Sequence, residues 1–241
     1  MSLHSLHNLT QDFKETSLMP VLFIGHGSPV NALETNEFTE EWRKIGRNLP
    51  VPNAILCISA HWETEGTQVT AMKNPRTIHD FYGFPKELYQ VDYPAKGNLE
   101  IAKEIQKNIT SASIGLDLSW GLDHGCWSIL THLYPDANIP VLEMSLDYTK
   151  DIKYHFNLAK ELSLLRKKGV LIIGSGNLIH NLRTLDWNSP DKGYAWAYEA
   201  SNVLKEKIST QDYDSLFNYQ NLGQEVLYSI PSPEHYLPSL Y

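Results

Sequence analysis

The 241-residue chain has only two cysteines, and it has fewer basic than acidic side chains, 20 lysines and arginines against 28 aspartates and glutamates. Cys57 and Cys126 make no disulfide scaffold. A formal net charge of −8 excludes a surface built for nucleic-acid or anionic-membrane phosphates, which asks for an excess of cations. The N-terminal segment, broken by Lys14 and Glu15, holds no apolar stretch for a secretory signal, and no run approaches a membrane span. The chain therefore reads as cytoplasmic, and the patterns Asn8-Leu9-Thr10 and Asn108-Ile109-Thr110 read as accidental glycosylation acceptors. Repeats, low-complexity tracts and Gly/Ser linkers are missing as well. That leaves a flexible tail over residues 1–18, with Met19 as an alternative start, and a single domain over 19–241.

What is present is 42% apolar residues, 11% of the chain being aromatic, enough for one substantial core. Short β-rich runs alternate with amphipathic segments, which predicts an α/β domain. Strands are expected at residues 21–24, 55–58, 69–72, 141–146 and 170–173. Helical stripes are expected through Phe38, Trp42, Ile45 and Leu49; through Leu99, Ala102, Ile105 and Ile109; and through Ile152, Phe156, Ala159 and Leu162. Tyr194, Ala197, Tyr198 and Leu204 predict one more helix. The segment from Pro75 to Pro85 carries too many turn formers and aromatics for either element, and a long irregular loop in a compact domain is often functional.

Ten histidines are the unusual count. His26, within Gly25-His26-Gly27-Ser28-Pro29, and His61, within Ser59-Ala60-His61-Trp62, each follow an expected buried strand. His180 follows another in Gly176-Asn177-Leu178-Ile179-His180-Asn181. Open α/β sheets bind ligands outside the carboxyl ends of their strands, so these three are expected at one edge. His124 and His235 lie in turn-rich surroundings, whereas His4, His7, His132 and His155 read as structural or solvent-exposed. No His-Glu-x-x-His, Walker lysine, Gly-x-Ser-x-Gly elbow or dinucleotide fingerprint occurs. The surviving catalytic reading is one metal ion held by histidines from separate strands.

Six ordered motifs, the three above together with Thr77-Ile78-His79-Asp80-Phe81, Asp123-His124-Gly125 and Pro233-Glu234-His235-Tyr236, resemble the 4,5-DOPA extradiol dioxygenases. These are class III extradiol ring-cleavage enzymes related to the catalytic subunit of protocatechuate 4,5-dioxygenase. The resemblance runs from about Met19 to Tyr241. It implies an α/β domain with a central mixed sheet flanked by helices, and a metal held by His26, His61 and His235. It implies His180 as acid/base, or as a fourth ligand, and His124 as a histidine facing the substrate. Glu234 in place of His235 is the alternative third ligand. Trp62, His79 and Phe81 are expected to line the substrate pocket, and Arg76 or Arg183 to meet a substrate carboxylate.

The activity implied is insertion of both atoms of O2 into a catechol, DOPA or a similar one, to give a muconic semialdehyde. Zinc lacks redox chemistry, yet a histidine-only site has little to exclude it, so zinc is expected in the isolated protein and ferrous iron for turnover. The partners implied are a catechol and O2, with no nucleic acid or membrane, for a monomer or small homo-oligomer. The resembling family continues past the Pro-Glu-His-Tyr segment, so the C-terminal end reads as shortened. Two other readings of the same residues are a zinc-dependent hydrolase and a non-catalytic metal-binding interaction protein. The full set of five histidines weighs against the latter.

Overall fold

A computed structural model describes residues 18–186 and 192–241; His4 and His7, and the expected tail up to residue 17, lie outside them. Six strands form one sheet in the order β1-β6-β2-β5-β3-β4, with β1 Val21–Gly25, β2 Ala54–Thr64, β3 Thr67–Thr70, β4 Ile114–Asp117, β5 Val141–Asp147 and β6 Val170–Gly176. All neighbouring pairs are parallel except β3 with β5, which makes the sheet mixed. β5 and β6 are buried along their whole length, as expected of strands covered on both faces.

Alternation along the strands divides the core into two layers. Ile55, Cys57, Leu171 and Ile173 face a layer with Trp42 of α1 (Glu37–Asn48) and Trp127, Leu130 and Leu133 of α3 (His124–Leu133). Leu56, Ile58, Val170 and Ile172 face the other layer. That layer is closed by α2 (Leu99–Asn108), α4 (Ile152–Leu162), α5 (Ala195–Ser209), α6 (Tyr213–Phe217) and α7 (Gln224–Ser229). Helix α1 begins where the side chain of Asn36 accepts the N–H groups of Phe38 and Thr39 and Thr39 returns a bond to the Asn36 N–H, a reciprocal cap.

The expected elements are present, with three differences among the strands. β4 was not expected, because four residues containing Gly115 at a sheet edge carry little periodic signal. β3 starts at Thr67, two residues before the expected run. β2 continues to Thr64 through a register shift against β5 between Ile58 and Glu63, so His61 lies inside the strand and not beyond it. Among the described residues no helix is long and apolar enough to cross a membrane.

Gly46 marks the crossing of α1 and α3, where a Cβ would run into the backbone carbonyl of Leu133. Alanine gains about 1 kcal/mol over glycine in a helix interior. Here the collision is with backbone and outweighs that gain. Gly46→Ala is expected to cost a net 1–3 kcal/mol, roughly, and to lower the melting temperature by several degrees in calorimetry; a raised melting temperature contradicts this packing.

Candidate metal centre

Insertion of β6 between β1 and β2, parallel to both, places three carboxyl ends side by side. Gly25 pairs with Gly176, and Ser59 with Ser175. His26 leaves β1 at once, its N–H bonded to the Gly176 carbonyl at 3.2 Å. His61 reaches the same edge from β2. Their Nε2 atoms face each other at 3.1 Å.

The other rings gather around this pair. Suitable donor atoms of His26, His61 and His124 all lie within 4.8 Å of one another, and so do those of His180, Glu234 and His235. The His235 ring is 5.1 Å from that of His26 and 5.0 Å from that of His61, centroid to centroid. His180 stacks on His235 at 3.4 Å, with its Nδ1 3.9 Å from Glu234 Oε1. His124 is the first residue of α3 and not part of a turn; Asp123 caps the helix by accepting the Cys126 N–H at 3.2 Å.

Hydrogen bonds decide which nitrogen each ring offers. The Ser175 hydroxyl has one proton, which it donates to the Gly125 carbonyl at 2.6 Å. It must therefore accept from His26 Nδ1 at 2.8 Å, leaving His26 Nε2 bare. Asp80 stands 2.9 Å from His124 Nδ1 and 3.5 Å from His61 Nδ1. Asn177 accepts the Gly27 N–H on Oδ1 at 3.1 Å, so its amide nitrogen faces His235 Nδ1 at 3.1 Å. In that setting Nδ1 of His235 accepts and its proton sits on Nε2.

The donor set fits a metal ion. Two nitrogens bound at about 2.0–2.1 Å in a tetrahedral centre stand about 3.3 Å apart, close to the observed His26–His61 separation. The imidazoles are also held uncharged. Burial, then the neighbouring imidazoles His61, His235, His124 and His180, hold His26 well below the ordinary histidine range. Burial and His124 bring His61 down to about 3 against the pull of Asp80, and burial and His180 bring His235 to about 2. His180 is lowered by burial, with Glu234 opposing.

Of the residues expected in the pocket, Phe81 lies edge-on to His124 at 5.6 Å. His79 bonds the Val91 carbonyl at 3.0 Å and packs against Phe81, Tyr89 and Trp127. Trp62 is 3% exposed and stacked on Trp120, since alternation along β2 turns it to the face opposite His61. Arg76 donates from Nε to the Trp120 carbonyl at 3.0 Å, and Arg183 is exposed. His132 and His155, expected to be bystanders, are buried and bonded, to the Asn31 carbonyl at 2.7 Å and the Tyr241 hydroxyl at 2.9 Å. Ser175, Asp80 and Asn177 had no expected role. The signal for Ser175 was a lone hydroxyl ending a fully apolar strand.

A family profile described as the catalytic LigB subunit of aromatic ring-opening dioxygenase matches residues 19–228. That span holds His26, His61, His124 and His180 and stops short of His235. A protein named 4,5-DOPA dioxygenase extradiol from Escherichia coli K12 is 44% identical over 92% of this chain and 83% of its own length. A protein of the same name from Beta vulgaris is 36% identical over 93% of this chain and 85% of its length. Among solved structures, an uncharacterized protein from Escherichia coli K12 superposes with a TM-score of 0.80 at 40% identity, covering 92% of this chain and 87% of that one.

Ser175→Ala removes the acceptor that fixes His26. It is expected to weaken metal binding about 10–100-fold in chelator competition, with the fold intact by circular dichroism; unchanged affinity contradicts the assignment. The pH dependence has a definite sign. Six imidazoles, of His26, His61, His132, His155, His180 and His235, are held below their ordinary 6.5. The unfolded chain takes up those protons first as pH falls through 6.5, so folding weakens. Four carboxyls raised chiefly by burial, Glu63, Glu104, Asp123 and Glu143, act in the opposite sense but are fewer than the six imidazoles. The metal-free protein should melt at a lower temperature at about pH 5.5 than at about pH 7.5; an equal or higher value refutes the assignment.

Proposed function

The chain belongs to the family of catalytic LigB subunits of aromatic ring-opening dioxygenases, and from that membership we propose that it opens DOPA or a similarly substituted catechol, with His26, His61 and His235 holding its mononuclear metal ion. The reaction is extradiol cleavage: both atoms of O2 enter a catechol beside the diol, and the product is a muconic semialdehyde. The observation that carries the site assignment is the pair of Nε2 atoms of His26 and His61 facing each other at 3.1 Å, with the His235 ring about equally far from both.

Ferrous iron, when bound, supplies activation of O2 and acidifies the catechol hydroxyl, which zinc can do only in its second part. Affinity at nitrogen donors rises from iron to zinc, so zinc is the ion that the isolated protein is expected to carry. Around the ion the side chains divide the remaining work. His180, half-buried beside Glu234 and stacked on His235, holds and returns the proton of the catechol hydroxyl; its alternative role is that of a fourth ligand. His124 directs its Nε2 to the substrate, because Nδ1 is engaged by Asp80. Phe81 gives the ring an apolar edge beside His124. The chain works on this reading in the cytoplasm, as a monomer or small homo-oligomer.

Anaerobic reconstitution with ferrous iron, followed by a catechol panel read by oxygen uptake and the yellow ring-opened product, tests the reading. A large gain over the zinc-loaded protein is expected, and no gain sinks it. His180→Ala should keep the metal while ring cleavage falls about 100-fold or more; loss of the metal instead makes His180 a ligand.

A further inference from the structure

Strand β2 loses both neighbours where it carries His61. Its pairing with β6 ends at Ser59, opposite Ser175, and its pairing with β5 breaks after Ile58 and resumes at Glu63. Among the described residues, Ala60, His61 and Trp62 therefore have no register partner on either side. A backbone N–H inside a fold must still find an acceptor. That of His61 goes to a side chain of its own strand, the hydroxyl of Ser59, at 3.2 Å.

The same hydroxyl donates to Asp123 Oδ1 at 2.7 Å, and Ser59 and Asp123 are both wholly buried. Asp123 is the cap of α3, whose first residue is His124. Strand and helix approach so closely that a Cβ at Gly125 would stand 2.5 Å from Ser59 Oγ and 2.9 Å from His61 Cδ2. Beside Ser59 on β6, Ser175 donates to the Gly125 carbonyl at 2.6 Å, so two paired serines fasten the first turn of α3 to the sheet. The rings of His61 and His124 come to stand 3.9 Å apart, centroid to centroid.

We propose that Ser59 is a positioning residue for metal binding: its hydroxyl takes the place of the missing ladder bond, aims the unpaired stretch that carries His61 into the centre, and joins that stretch to the helix that begins with His124. The inference rests on the reading of His61 as a ligand. Irregular pairing re-aims side chains next to active sites, and here the new direction needs an anchor that the neighbouring strands do not supply. Serine suits the place because a single hydroxyl accepts from the strand and donates to the helix cap at once. Ser59→Ala removes both bonds. It leaves Ile58 paired with Gly174 and Glu63 with Leu146 on either side of the gap, and Asp123 still accepts the Cys126 N–H, so the variant should fold.

The test compares wild type, Ser59→Ala, Asp123→Ser, their double variant, Ser145→Ala and His61→Ala. Chelator competition with zinc alone reads affinity, and the visible spectrum of the cobalt-loaded protein reads coordination geometry. Asp123→Ser breaks the same bond from the helix side, since serine still caps a helix but its shorter side chain does not reach Ser59. Ser145→Ala is the control for sheet stability: Ser145 bonds Thr64 Oγ1 at 2.6 Å and the Gln68 N–H at 2.8 Å, and these bonds involve no histidine. Ser59→Ala and Asp123→Ser should each bind zinc about 10–100-fold more weakly, with a changed cobalt spectrum. The double variant should lose little beyond either single change, and Ser145→Ala should match wild type. Wild-type affinity in Ser59→Ala, additive losses in the double variant, or an equal loss in Ser145→Ala overturns the proposal. If Ser59→Ala does not fold, Asp123→Ser reads the bond alone, and wild-type affinity there overturns it. Wild-type zinc affinity in His61→Ala overturns instead the reading of His61 as a ligand.

Discussion

Four imidazoles packed within a few ångströms, those of His26, His61, His180 and His235, are held without charge. Burial is the main cause, because a cation there would give up its water, and for His26, His61 and His235 the neighbouring imidazoles add to it. The rest of the centre follows from this constraint. Neutral imidazoles carry one N–H and one lone pair, so the second nitrogen of each ring must be told which it is. Ser175 does this for His26, and Asn177 and Asp80 stand at His235 and His124.

The sheet supplies the rigidity this arrangement needs. β1, β6 and β2 run parallel, so their carboxyl ends cannot separate without breaking ladder hydrogen bonds. The return of the chain at His235 is seated by the glycines of β6. A Cβ at Gly174 would meet the carbonyl of Pro238, and one at Gly176 the carbonyl of His235. Backbone against backbone contact of this kind is the reason only glycine serves there. It also fixes the height at which His235 approaches the other rings.

Much of the frame was legible in the sequence because its signals are local. Buried strands such as 170–173 are continuous apolar runs, and the stripe Ile152, Phe156, Ala159, Leu162 repeats at helical spacing. The stripes were less faithful about burial, for Phe38 of α1 and Tyr198 of α5 stand exposed. β4 escaped because a four-residue edge strand has no pattern to read. Trp62 was expected in the pocket from its neighbour His61, but adjacent residues of a strand point to opposite faces, and its ring meets Trp120. The register shift in β2 that keeps His61 within the strand is a matter of pairing with β5, and no local feature announces it.

Taken alone, the sequence determined the α/β class, the edge at which three histidines emerge, and the chemistry those side chains can support, because each depends on residue type and on spacing within one element. It left open which nitrogens turn inward. That is settled by partners distant in the chain: Ser175 lies 149 residues from His26, and Asp80 lies 44 from His124. Tertiary structure alone brings such pairs within hydrogen-bonding reach, and a tautomer is decided by what stands about 3 Å away, not by what stands next in sequence.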